Sequence, residues 1–407
     1  MTNEQPTAPG GASLTIIALI VFIDTASIGL IIPVVPSLIE GLARVSIDRA
    51  AELGGLLLFV FAITQFFAAP IIGGLSDQFG RRPVLLLTLA ALGLDYGLMA
   101  WAPSLGWLFV GRFIAGIMGA SWPAANSCVA DTVAPEDRGR MFGMLGAAGG
   151  AGFVLGPAIG GLFGQFGDRV PFLIACCLCL AGAAIGLLTL HETLPPEKRR
   201  AFTFARANPF GNLIQMAKLP LVLSFLIVIF FMQMAAQAQV AIWAYYGILK
   251  FGWTTVQTGL TITLFGTLLA IVQGGLVGKA IARFGDIRTA SATLLLGVPT
   301  YLTFAFATSS WMMVLGVVIG AMTGFTFPAM QSIMSSRVSD NAQGELQGAI
   351  ASVISLTSII GPLLMTNIFG AFADKRGVYF PGAPFLLATG LLIIAIIVQR
   401  LAIKRYA

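Results

Sequence analysis

The sequence predicts an all-α membrane protein with twelve transmembrane helices in two six-helix bundles. Three observations carry that expectation. Of 407 residues, 57% are hydrophobic and only 10% are charged, whereas water-soluble domains carry about 25% charged residues. Apolar stretches of about 20 residues, enough to cross a ~30 Å hydrocarbon core, recur twelve times. The two halves also match each other at one constant offset of 205 residues.

The first six stretches start near Leu14, Glu52, Pro83, Leu105, Met141 and Val170. The second six start near Leu219, Val256, Ala290, Trp311, Gly344 and Ala383. Between them lies a polar stretch carrying Glu197, Lys198, Arg199, Arg200 and Arg206. The expected plan is a cytoplasmic tail at 1–13, a bundle at 14–190, a cytoplasmic linker at 191–218 and a second bundle at 219–407. The stretch from Met1 to Gly11 lacks Lys and Arg, and no small-residue cleavage site follows Leu14. The first span is therefore expected to stay rather than be removed as a signal peptide.

Orientation follows from the Lys and Arg residues of the loops. Sixteen of the 23 fall on one side, among them Arg81, Arg82, Arg138, Arg140, Lys279, Arg283 and Arg288, and six on the other, including Arg376. The excess places both termini and the central loop in the cytoplasm.

The repeat is carried by residues that shape backbone. Gly73, Phe79 and Gly80 match Gly278, Phe284 and Gly285; Gly111, Gly119 and Pro123 match Gly316, Gly324 and Pro328. Gly139, Gly143, Gly156 and Pro157 match Gly344, Gly348, Gly361 and Pro362. Two parallel six-helix repeats suit a transporter that rocks one bundle against the other around a midplane site.

Several classes are excluded. The net charge of +6 comes from short basic clusters between apolar runs, which set topology, so no nucleic-acid partner is expected. Cys128, Cys176, Cys177 and Cys179 all lie in apolar runs, so neither a metal site nor a disulfide framework is expected. Gly278-Lys279 continues with Ala280 and lacks the upstream glycine of a phosphate-binding loop. Gly150, Gly152 and Gly156 follow no strand and read as helix packing. No cofactor is called for. The spans offer no histidine, no serine paired with a base and no metal cluster, so an enzyme is not expected.

Three charges remain inside spans: Asp24, Asp95 and Arg112. Each costs roughly 2.5 to 3.5 kcal/mol at a helix centre, so each needs a partner or a wet cavity. At about 1.5 Å per residue, Asp24 lies roughly 15 Å from Leu14, near the middle of the core. Asp95 and Arg112 lie about 12 Å and 10 Å from the same face on consecutive antiparallel helices, so an ion pair is geometrically allowed. That pair serves either to join two helices or to handle protons. Asp24 is either a neutral acid bonded to nearby backbone or a carboxyl that exchanges a proton as the cavity changes sides. Gly29, Pro33 and Pro36, which break the helix after it, favour exchange.

Polar residues that can line the same cavity are Gln65, Asn126, Gln233, Gln237, Gln239, Gln273 and Gln331; aromatic faces come from Trp122, Trp243, Tyr245 and Tyr246. Gln65, Asn126, Gln233, Gln237, Trp243 and Gln273 are the candidate substrate contacts. Each polar one also suits interhelical hydrogen bonding.

The stretch from Gly73 through Ser76, Asp77, Phe79, Gly80, Arg81 and Arg82 to Pro83 resembles the signature loop of the major facilitator superfamily. Its glycines permit a tight turn, and Asp77, Arg81, Arg82 and the more distant Asp131 can form a charge cluster that gates the cytoplasmic side. Leu108, Arg112, Gly116 and Ala120 resemble the fourth-helix motif associated with proton coupling. Gly152, Gly156, Pro157, Gly160 and Gly161 fit the fifth-helix pattern of drug/proton exchangers. The run from Gly29 to Pro36 is similar to the first-helix motif of twelve-span drug/proton antiporters.

Within that group the chain is similar to bacterial tetracycline efflux transporters, through Arg81 to Leu87, Leu94-Asp95-Tyr96, Gly344 to Gly348, and Leu356 to Leu363. The resemblance implies that Asp24, Asp95 and Arg112 are functional charges and that Gln65 sits at a polar second-helix position. It also shows two departures: where those relatives carry a histidine in the eighth span and an acid in the ninth, this chain has Leu269 and Gly297. Its single histidine is His191, in the central loop.

The expected function is proton-coupled export of an amphipathic, drug-like compound by a monomer in a bacterial inner membrane. Its partners are that substrate, protons and the lipid bilayer. The alternative on the same fold is a symporter or facilitator for a small metabolite.

Overall fold

The computed structural model describes residues 11–119, 121–201, 211–339, 342–375 and 377–406. Residues 1–10 of the expected tail, Ala120, Arg206 and Arg376 lie outside the described residues. Among those described, the regular structure is helical throughout.

The first half contains α1 (Gly11–Ile31), α2 (Val35–Ala43), α3 (Ile47–Phe79), α4 (Arg81–Ala100), α5 (Leu105–Met118), α6 (Ser121–Thr132), α7 (Pro135–Gly164) and α8 (Val170–Thr189). The second contains α9 (Gly211–Met216), α10 (Pro220–Phe251), α11 (Thr255–Ile271), α12 (Val277–Phe284), α13 (Asp286–Phe306), α14 (Ser310–Ala321), α15 (Thr326–Ser335), α16 (Gln343–Ala373) and α17 (Ala383–Tyr406). Among the described residues, twelve helical stretches are long and apolar enough to cross a membrane, the fourth being α5 with α6 and the tenth α14 with α15.

The expected span starts at Leu14, Leu105, Val170 and Ala383 coincide with the observed ones. The expected Glu52, Pro83, Met141 and Ala290 fall two to five residues late, because the observed membrane-spanning stretches begin at Ile47, Arg81, Asp137 and Asp286. Hydropathy marks the apolar length, whereas those helices continue into charged turns.

The 205-residue register is visible in the backbone. α4, α5 and α6 start at 81, 105 and 121, and α13, α14 and α15 start at 286, 310 and 326. Gly80 and Gly285, at φ 106° and 80°, make the same sharp turn between consecutive spans, a conformation that glycine adopts without the Cβ penalty. α5 ends on Gly119, and its counterpart α14 passes into a 3-10 turn at Met322–Phe325 that contains Gly324.

The chain divides into two compact units, Met1–Leu38 with Ile63–Asn208, and Ile39–Ala62 with Pro209–Ala407. In the first, α1 packs on α7 and α8, and α4 packs on α8, α5 and α6. In the second, α10 packs on α16 and α17, and α13 on α17, α14 and α15. These are the same pairings carried over by the repeat.

Candidate functional site

Buried polar side chains gather between α1, α4, α5 and α8 in the first unit. α1 carries Asp24, 4% exposed, and one turn on Ser27, whose Oγ lies 3.3 Å from Cys179 Sγ on α8. Beyond them the helix stops at Ile31 and turns through 32–34 into α2, as Gly29, Pro33 and Pro36 lead one to expect.

α4 carries Asp95 and Tyr96, each 2% exposed. Adjacent residues on a helix point about 100° apart, and both of these lie within reach of the Arg112 charge on α5. Asp95 turns toward α5, where a Cβ added to Gly111 would stand 2.8 Å from its Oδ1. The Tyr96 phenol lies within electrostatic reach of Arg112, Cys179, Asp24 and Asp95 together. Both carboxylate oxygens of Asp95 are buried without a hydrogen bond. Arg112 donates from Nη2 to Met99 Sδ at 3.1 Å and acts on Asp95 through space. Asp95 and Arg112 are thus electrostatic neighbours on α4 and α5, with no hydrogen bond closing the pair.

The fifth-helix glycines form the contact surface for α1. A Cβ on Gly152 would meet Phe22 O and Thr25 Oγ1; one on Gly156 would meet Ala26 O and the Gly29 Cα; one on Gly160 would overlap Leu30 O. Pro157 sits against Gly29. α1 and α7 therefore touch backbone to backbone over the segment that follows Asp24, a closeness that only residues without a Cβ allow.

At the basic end of the same unit, Arg81 opens α4. Its Nη1 bonds Ser76 Oγ at 2.7 Å and pairs with Asp77 Oδ1, while Nε pairs with Asp131 Oδ2 at 2.9 Å. Arg82 donates to Leu187 O at 2.6 Å, so it belongs to the α8 end rather than to the carboxylate cluster. Gly73 has open space around its Cα.

The remaining candidates fall in both units. In the first, Gln65 Nε2 donates 2.9 Å to the Gly119 carbonyl, where α5 ends, and Asn126 is half-buried on α6. In the second, Gln237 packs against Gly361 and reaches Ser358 Oγ at 3.4 Å. Trp243 is 3% exposed, donates to Thr261 Oγ1 at 3.0 Å and meets Phe304 edge-on. Tyr246 donates to Phe304 O at 2.7 Å. Gln233 is half-buried. Gln273 lies in a π-helical turn at Val272–Leu276, with its Cγ near Gly324.

Leu269 packs on Gly324, and Leu392 fills the space beside Gly297, where a Cβ would stand 2.5 Å from its Cδ1. The two positions where the resemblance expects ionisable groups are therefore closed by leucine side chains.

Sequence reasoning missed Ser27, Tyr96, Cys179 and Glu192. The first three are ordinary residues of apolar runs; Ser27 follows Asp24 by one turn of α1, and tertiary packing brings Tyr96 and Cys179 to them. Glu192 carried a signal: it is an acid placed directly after a span, at the basic end.

Comparison with known proteins agrees with this architecture. The Major Facilitator Superfamily profile matches residues 17–362 and, in a second alignment, 249–405. The class C tetracycline resistance protein of Escherichia coli is 38% identical over 362 residues, covering 89% of this chain and 91% of that protein. The class G tetracycline resistance protein of Vibrio anguillarum is 37% identical over 362 residues, with the same two coverages, 89% and 91%. Among solved structures, a bacterial homolog of the human lysosomal transporter Spinster, inward-facing and occupied, superposes with a TM-score of 0.81 at 18% identity, covering 98% of each chain. This multi-pass membrane chain of twelve spans belongs to the Major Facilitator Superfamily.

Proposed function

We propose that the chain is a proton-coupled antiporter of the bacterial inner membrane that exports a tetracycline-like, amphipathic drug by alternating access, with both termini in the cytoplasm. The observation that carries this reading is Asp95, an acid 2% exposed with both oxygens free of hydrogen bonds and an arginine charge nearby. A carboxyl removed from water in this way is placed to exchange a proton when water or a cationic group enters its surroundings. The tetracycline resistance proteins to which the chain is 38% and 37% identical support the substrate class.

In this reading Asp24 and Asp95 compete between proton and drug, and Arg112 sets the balance between their charged and neutral forms. Asp77, Arg81 and Asp131 latch the cytoplasmic side of the first bundle, with Gly73, Gly80 and Arg82 shaping that loop. Gly152, Gly156, Pro157, Gly160 and Gly161 let α1 and α7 move as one body. Asn126, Gln233 and Gln273 are proposed substrate contacts. Gln65, Gln237 and Trp243 act in binding only on leaving the protein partners they hold here.

The test is tetracycline uptake into everted membrane vesicles energised by a proton gradient. Accumulation that a protonophore abolishes, with drug-dependent collapse of the gradient, is the expected result. Proton-independent equilibration of the drug would turn the reading toward a facilitator.

A further inference from the structure

The start of the central linker is not a free tether in the first unit. Leu190 and Leu194 are buried, and Glu192 lies between them. Its Oε1 accepts from the main-chain N–H of Arg81 at 2.9 Å, and from those of Thr193 at 2.9 Å and Leu194 at 3.0 Å. Its Oε2 lies over Gly80, where any Cβ would overlap it, and 3.9 Å from Arg199 Nη2. Pro196–Lys198 form a single 3-10 turn, after which Arg200 N donates to Asp77 O at 3.1 Å. One carboxylate thus fastens the linker to the turn that presents Arg81, and a second bond eight residues later fastens it to Asp77.

The physical consequence lies at the N-terminus of α4. The first N–H groups of a helix lack intrahelical partners and carry partial positive charge, so an anion there is stabilising. α4 has no capping side chain of its own, since its N-cap is Gly80. Glu192 supplies the missing acceptor from 111 residues away. Hydrogen bonds to a charged acceptor are about twice as strong as neutral ones. With the backbone of Arg81 held there, its guanidinium reaches Ser76, Asp77 and Asp131.

We propose that Glu192 is a positioning residue of the cytoplasmic gate: it binds the main chain of Arg81 and makes the first ten residues of the linker a strap across the signature loop. The inference rests on the gate reading given above. Movement of the linker is thereby transmitted to the Arg81 cluster through one side chain.

The test uses the full-length transporter in everted vesicles, with tetracycline as the probe and four variants: Glu192→Ala, Glu192→Gln, Arg81→Ala and the Arg81→Ala/Glu192→Ala double. Acting through Arg81, Glu192→Ala lowers the maximal uptake rate about tenfold while the half-saturating concentration stays within about twofold. Glu192→Gln keeps a carbonyl oxygen for the Arg81 N–H and retains the rate within about threefold. The double variant loses no more than Arg81→Ala alone. Should Glu192→Ala fail to accumulate in the membrane, Glu192→Asp, which keeps the charge but draws it back by one methylene, gives the same reading. Wild-type uptake by Glu192→Ala beside an impaired Arg81→Ala, or losses that add in the double, overturns the strap. Wild-type uptake by Arg81→Ala overturns the gate reading itself.

Discussion

The two repeats share a backbone and differ in what they mount on it. At offset 205, Gly111 faces Met99 and Asp95, while Gly316 faces Phe304 and Gly320 faces Thr300. Asp95 thus corresponds to Thr300, Met99 to Phe304 and Arg112 to Val317. Thr300 spends its hydroxyl on Leu296 O one turn back, at 2.8 Å, and Phe304 joins an aromatic cluster with Trp243, Tyr301 and Phe385. At the turn between spans, Gly80 leads to Arg81 with its three side-chain partners. Gly285 leads to Asp286, which holds Ser332 at 3.1 Å by one oxygen and buries the other without a partner. A duplicated scaffold has kept its glycine turns and helix breaks in both copies, and the charged pattern of Arg81, Asp95 and Arg112 stands only in the first. On the proposed function, proton chemistry then belongs to the first repeat and rigidity to the second.

Substitutions at matched positions test that division. The largest contrast is expected between Asp95→Asn and Thr300→Val. The first removes the proton-carrying group and lowers proton-driven tetracycline uptake by about 100-fold or more. The second removes only a local hydroxyl bond, worth about 1 kcal/mol, and leaves uptake near wild type. Equal losses at both sites would dissolve the contrast.

Gly111→Ala and Gly316→Ala come next. Each drives a methyl into a filled space, and each is expected to cost about 1 to 3 kcal/mol in unfolding. Only Gly111→Ala pushes on the Asp95 carboxylate, so only it should slow uptake, by about tenfold. Thermal unfolding in detergent, run beside the vesicle assay, separates the two effects.

Smaller still is the contrast at the inter-span turn. Arg81→Ala breaks bonds to Ser76, Asp77 and Asp131 at once and should slow turnover about tenfold, each charged bond being worth about 1.5 to 3 kcal/mol. Asp286→Ala gives up one bond to Ser332 while relieving a buried oxygen that has no partner, so its uptake should stay within about twofold. A slow Asp286→Ala would place a gate in the second repeat as well.

The spans, their repeat and the nearness of Asp95 to Arg112 were legible because hydropathy and a 1.5 Å rise are one-dimensional quantities. The turn after Asp24 was equally readable, since Gly29, Pro33 and Pro36 act locally. What lay beyond reach was lateral. No periodicity says that the Tyr96 phenol comes within electrostatic reach of Arg112, Cys179, Asp24 and Asp95 together, or that Cys179 meets Ser27 across 152 positions. Trp243 and Tyr246 look like substrate faces in a list of aromatics, yet their ring contacts and hydrogen bonds lie within the second unit. Glu192 sits two residues past Leu190, the last apolar position of its run, and reads as linker although its carboxylate accepts from Arg81 N.

The most direct measurement is proton release from the detergent-purified protein on adding tetracycline, for wild type, Asp24→Asn and Asp95→Asn. Drug and proton competing for a carboxyl of the first repeat predicts release by wild type and its loss in at least one variant, with no ionisable group of the second repeat required. Undiminished release in both variants would contradict the account, because the exchanged proton would then come from elsewhere in the chain.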